Sequence, residues 1–144
     1  MRTFIFKTVA ALVFSLTSLV CFADGIAVVA NPAVGVDALS SDEVMRLFLG
    51  KVKAFANDQT VTPLAQKEGS DIRTAFGSKV LQKTPVQEKA YWSQLIFTGR
   101  GVPPDEYGSD AEIKKLVAAN PGAIGYISTG SVDSTVKVLF TVAP

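Results

Sequence analysis

The segment Gln66-Lys67-Glu68-Gly69-Ser70-Asp71-Ile72-Arg73 has the residue types and spacing for ligand binding. Thr60 to Ala65 ahead of it looks like a strand, and Ile72, Ala75 and Phe76 behind it share a helical face. The segment therefore joins a strand to a helix N-terminus. Free N–H groups at such a terminus point out of the helix, and the helix dipole there favours an anion. Gly69 lets the chain approach a ligand closely, and the Ser70 hydroxyl either caps the helix or donates to an oxyanion. Arg73, one turn in, supplies a fixed positive charge. The candidate anion-binding residues are thus Gly69, Ser70, Asp71 and Arg73. The competing reading is an ordinary N-cap with Arg73 in solvent. Asp71 weighs on that side, because its carboxylate occupies the same favourable field and repels phosphate.

The other reactive residues are placed less tellingly. Gly99-Arg100-Gly101 reads as a turn, Arg46, Lys51 and Lys53 as a solvated basic face, and Tyr91 and Trp92 as core packing on a helix. The 144 residues include no histidine, so Ser-His-Asp and Cys-His catalysis and imidazole zinc sites are excluded. A single cysteine, Cys21, permits neither an intrachain disulfide nor a thiolate cluster. Acids are scattered, with no pair spaced for glycosidase-type work. A net charge of +1 leaves no electrostatic footprint for nucleic acid. No catalytic residue, metal or cofactor is expected, and an enzyme is not the reading.

Residues 1–23 read as a secretory signal. Arg2 and Lys7 precede an apolar run from Val9 to Val20, and Cys21 and Ala23 occupy the positions a signal peptidase reads. The run is short for a membrane span. A lipoprotein reading, with Cys21 acylated, is opposed by the bulky Val20 before it. Cleavage after Ala23 leaves 24–144, a cysteine-free chain of 121 residues with 12 positive and 13 negative side chains. The expectation is one periplasmic α/β domain over that range, held by packing alone.

The elements that must position the loop follow from patterning. Ile26 to Ala30 is a continuous apolar run, as in a strand covered on both faces. Three capping boxes, Ser40-x-x-Glu43, Thr84-x-x-Gln87 and Ser109-x-x-Glu112, open helices, with Pro85 at the first position of the second. Gly50 and Asn120-Pro121-Gly122 end two of them. Thr60 to Ala65, Ala123 to Ser128 and Thr135 to Val142 read as strands, and Pro63 argues for an edge or an early end. Strands alternating with helices predict an α/β fold with a mixed or mostly parallel sheet flanked by helices.

These residues carry a family resemblance. Ile26-Ala27-Val28-Val29-Ala30-Asn31, then Leu39-Ser40-Ser41-Asp42-Glu43 running to Phe48-Leu49-Gly50-Lys51-Val52-Lys53, resemble the apolar strand and "L-S-x-x-E … Y-L-G-K-I-K" segment of phosphate-binding proteins of ABC transporters. Glu68-Gly69-Ser70-Asp71-Ile72-Arg73-Thr74-Ala75-Phe76 resembles that family's "D-G-S-G-T-R-x-x-F" anion loop, and Pro121-Gly122-Ala123-Ile124-Gly125-Tyr126-Ile127 its "P-G-A-I-G-Y-V". Order and spacing agree over roughly residues 26–128.

The resemblance implies a periplasmic-binding-protein-like lobe, similar to the second of the family's two, which close on an oxyanion between them. It implies phosphate or a related anion as ligand and an ABC transporter permease as partner, with a homodimer as one way to complete the cleft. In the family, the Ser-Gly-Thr of the loop and an Arg four residues before that Ser hold phosphate. Here the Ser is Ser70, Asp71 and Ile72 stand for Gly and Thr, and Gln66 stands for that Arg. The alternative is a non-catalytic cell-envelope accessory module in which a binding-protein lobe has lost its ligand.

Overall fold

The computed structural model describes residues 24–144, and the expected signal at 1–23 lies outside the described residues. Strand β1 (Ile26–Ala30) is buried along its whole length. It sits inside a five-stranded sheet, antiparallel both to β4 (Ala123–Ser128) and to β5 (Lys137–Val142). Beyond β4 the chain adds β2 (Thr62–Gln66), parallel to it, and then β3 (Asp105–Tyr107), parallel to β2 and at the sheet edge. The sheet is thus mixed, in the order β3-β2-β4-β1-β5.

Alternation along β1 assigns the two cores. Ile26, Val28 and Ala30 point to one face, where they join Val44, Leu47 and Phe48 of α1 (Ser41–Phe48) and Phe76 of α2 (Asp71–Phe76). Ala27 and Val29 point to the other, where Ile113 and Val117 of α4 (Asp110–Ala119) cover them. Gly125 lets that helix approach, since a Cβ there would lie 2.6 Å from Ile113 Cγ2. The buried Asn31 ties the end of β1 to the same helix, donating from Nδ2 to the Val117 and Ala118 carbonyls at 3.1 and 2.9 Å.

Most boundaries follow the sequence expectations, and the departures have local causes. Full capping boxes open α1 at Ser40 and α3 (Pro85–Phe97) at Thr84. At Ser109 only half the box forms: its hydroxyl accepts the Glu112 N–H, but the Glu112 carboxylate takes the N–H of Gly108. Ser109 is more extended there (φ −150°) than the caps at Ser40 and Thr84 (φ −79° and −73°), so its own N–H is turned away. Pro63 is accommodated because β3 pairs with β2 only from Leu64 onward, which leaves that side of Pro63 open. The helix begun by α2 continues as a π-helical turn, Gly77–Leu81, ended by Gln82 in the left-handed region (φ 56°).

An aromatic stack fixes α2 over the sheet. Phe76 lies flat on Tyr126 of β4, with ring centroids 3.9 Å apart and planes 6° from parallel, and Phe48 meets both rings edge-on. Phe76 is almost fully buried. Phe76→Ala should lower unfolding stability by about 3–5 kcal/mol in urea denaturation. A midpoint within experimental error of the parent would show that the stack does not hold α2.

Candidate functional site

The loop between β2 and α2 is built by sheet pairing and one helix cap. The N–H of Lys67 donates to the Tyr107 carbonyl at 2.9 Å, which prolongs the β2–β3 ladder past the last strand residue. Gly69 then turns the chain at φ +86°, a conformation that disfavours any Cβ although nothing lies within 4 Å of where one would sit. Ser70 is the N-cap of α2: its Oγ accepts the Arg73 N–H at 3.3 Å. The same hydroxyl donates to the Lys67 carbonyl at 2.7 Å, so its proton is already used inside the loop.

Arg73 turns back over the loop rather than into solvent. Its Nη1 donates to the Gln66 carbonyl at 2.9 Å and to Glu106 Oε1 at 2.8 Å, and its Nη2 donates to Glu88 Oε1 at 2.8 Å. Burial by itself would depress the Arg73 guanidinium, but the Glu88 carboxylate foremost, with Tyr126 and Glu106 behind it, holds its pKa above the ordinary value. The group is a permanent cation with two carboxylate partners. Glu106 Oε1 also accepts the Glu68 N–H of the loop at 2.6 Å.

Gln66, at the position where the family resemblance would place an arginine, is a core residue. Its side-chain amide donates to Asp110 Oδ1 at 2.8 Å and to the Tyr126 carbonyl at 3.0 Å, while its backbone N–H donates to the Tyr126 hydroxyl at 3.1 Å. Burial pushes the Tyr126 hydroxyl far above the ordinary phenol range, so it stays neutral and serves as that acceptor. Asp71 is exposed on the first turn of α2.

The loop opens on a cleft of about 320 Å³ lined by Gly69, Arg73, Lys83, Glu88, Trp92 and Glu106, among others. Gly69 and Arg73 both line this cleft, whereas Ser70 is taken up as the cap of α2 and neither it nor Asp71 is among the lining residues. The structure also adds two carboxylates that sequence reading did not single out. Glu88 had a signal: it lies four residues before buried Trp92 on the same face of α3, an acid in an apolar stripe. Glu106 had none, because the three-residue edge strand that carries it shows no periodicity.

The remaining sequence candidates lie elsewhere. Arg46 pairs with Asp42 at 2.9 Å across one turn of α1. Lys51, Lys53 and Arg100 border a separate and more open cavity of about 690 Å³ between the end of α1, the start of β2 and the 99–104 loop. Trp92 is buried and lines both cavities, and Tyr91 donates from its hydroxyl to the Leu49 carbonyl at 2.7 Å.

No family model matches the chain. Over 108 residues the chain is 31% identical to the phosphate-binding protein PstS of Bacillus subtilis (strain 168), a match that covers 72% of this chain and 31% of that protein. It superimposes with a TM-score of 0.64 and 25% identity on an ABC-type phosphate transport receptor from Vibrio cholerae, covering 81% of this chain and 45% of the receptor. A protein described as a phosphate ABC transporter substrate-binding protein from Clostridium perfringens, with phosphate bound, gives a TM-score of 0.66 and 26% identity over 81% of this chain and 44% of that one. The chain spans about a third of the curated relative's length and under half of the solved structures. In sequence and in fold, then, this chain resembles one part of the phosphate ABC transporter substrate-binding proteins.

Proposed function

We propose that residues 24–144 act in the periplasm as a solute-binding module for an ABC-type uptake system, taking phosphate or a related oxyanion at the loop of Gly69, Ser70, Asp71 and Arg73. The observation that carries this reading is the joint likeness in sequence and fold to proteins named for phosphate binding and transport. At this loop a left-handed glycine, Gly69, and a cation, Arg73, meet a cleft beside a helix N-cap. An ABC transporter permease is the partner this role requires. A homodimer would set a second wall across the cleft, which one copy leaves open on one side. The chemistry is reversible capture: hydrogen bonds and charge hold the ligand, and no bond is made or broken. Among the described residues no helix is long and apolar enough to cross a membrane, and delivery falls to the expected signal at residues 1–23.

One specific observation favours the second reading, an envelope accessory module that binds no anion. Arg73 already has both terminal guanidinium nitrogens engaged by Gln66, Glu88 and Glu106, and the Ser70 proton is donated to Lys67. Thermal unfolding separates the two. Phosphate at 100 times its Kd should add about 2.7 kcal/mol. That is a rise of roughly 10 °C in Tm for a domain of this size. Ser70→Ala should reduce the shift by loosening the turn that presents Gly69. No shift with phosphate or sulfate contradicts capture and leaves the accessory reading, which then requires a protein partner recovered with the mature chain. Mass spectrometry of the exported protein should give an N-terminus at Asp24, and an intact Met1 in the mature pool would contradict the signal.

A further inference from the structure

Glu106 occupies the position that the loop offers an oxyanion. Its Oε1 accepts from one backbone donor of the loop, the Glu68 N–H at 2.6 Å, and from the loop's cation, Arg73 Nη1, at 2.8 Å. A backbone N–H and a guanidinium converging on one oxygen is the donor set a bound phosphate oxygen would use. The two carboxylates around Arg73 are not equivalent. The Glu88 side chain is 11% exposed and belongs to the body of α3, whereas Glu106 is 43% exposed and comes from the three-residue edge strand β3. Glu88 is therefore the fixed partner of Arg73, and Glu106 is the displaceable one.

We propose that Glu106 is the affinity-setting residue of this cleft: an internal carboxylate that holds the anion position and keeps the affinity for free oxyanions low. The inference rests on the proposed reading of the loop as an anion site. An incoming anion must push the Glu106 carboxylate off both donors and then sit within a few ångströms of its charge, so it pays twice. Replacing Glu106 leaves Arg73 anchored by Gln66 and Glu88 and leaves the Glu68 N–H and one guanidinium edge facing the cleft. Because Glu106 is the exposed side of the pair and Arg73 keeps its buried partner Glu88, the substitution should change folding stability little.

The test is calorimetric titration of the mature protein, Glu106→Ala and Glu106→Gln with sodium phosphate at constant ionic strength. Removing one like charge at contact distance should tighten phosphate by about tenfold or more in Glu106→Ala. Glu106→Gln, which keeps the shape and loses the charge, should fall between that variant and the parent. Tighter binding by the variants when the parent binds nothing measurable supports the inference and removes the proposed capture by the parent. A parent that binds phosphate as tightly as both variants overturns the inference and leaves the proposed function standing. Silence from all three overturns both. Should Glu106→Ala lose its native circular dichroism, Glu106→Gln carries the same comparison, and equality with the parent overturns the inference.

Discussion

A half-buried guanidinium has to have its donors answered, and how Arg73 answers them organises this end of the molecule. Its three acceptors come from three places in the chain: the last residue of β2, the first turn of α3 and the middle of β3. One side chain thus joins an interior strand, the edge strand and a helix that contributes little else to either core. Glu88 is the buried partner of this set, and removing the buried half of an ion pair leaves charge poorly compensated, which is why such pairs are costly to break even when their net worth is small. The turn Lys67–Ser70 is held in the same web, through the Glu68 N–H and the Ser70 hydroxyl.

The same web fixes the electrostatics of the cleft. Around one guanidinium stand two direct carboxylate partners, with Asp71 exposed on the neighbouring turn and Lys83 across the cavity. A wall of this composition does not present the uncompensated positive field that draws a dianion from bulk solvent. The solved relatives include one with phosphate bound, while this chain, spanning under half of such a protein, meets its own cation with its own acids. A fold like that of the phosphate ABC transporter substrate-binding proteins is thus combined here with a loop cation neutralised by the chain's own acids.

Much of the scaffold was legible because it rests on local rules. Ser40 and Thr84 cap helices through nearest-turn hydrogen bonds, and the all-apolar Ile26–Ala30 run marks a strand packed on both faces. Gly69 and Ser70 were legible for the same reason, since a left-handed turn and an N-cap need only their immediate neighbours. What escaped was long-range. Nothing local to Glu106 shows that β3 will lie beside β2 and bring its carboxylate to Arg73, 33 residues away in sequence. Gln66 is opaque likewise, because its partners Asp110 and Tyr126 are set by the position of β4 and α4. The π-helical turn after Phe76 is closed from beyond its own span, the Gln82 and Lys83 N–H groups both donating to the Gly77 carbonyl.

The claim that the loop's anion donors are satisfied from within is tested most directly by NMR of the isotope-labelled mature protein in phosphate-free buffer. The Glu68 amide proton should be shifted downfield, exchange slowly with solvent and show a scalar coupling across its hydrogen bond to the Glu106 side-chain carboxylate carbon. A Glu68 amide exchanging as fast as in an unstructured peptide, with no such coupling, would contradict it.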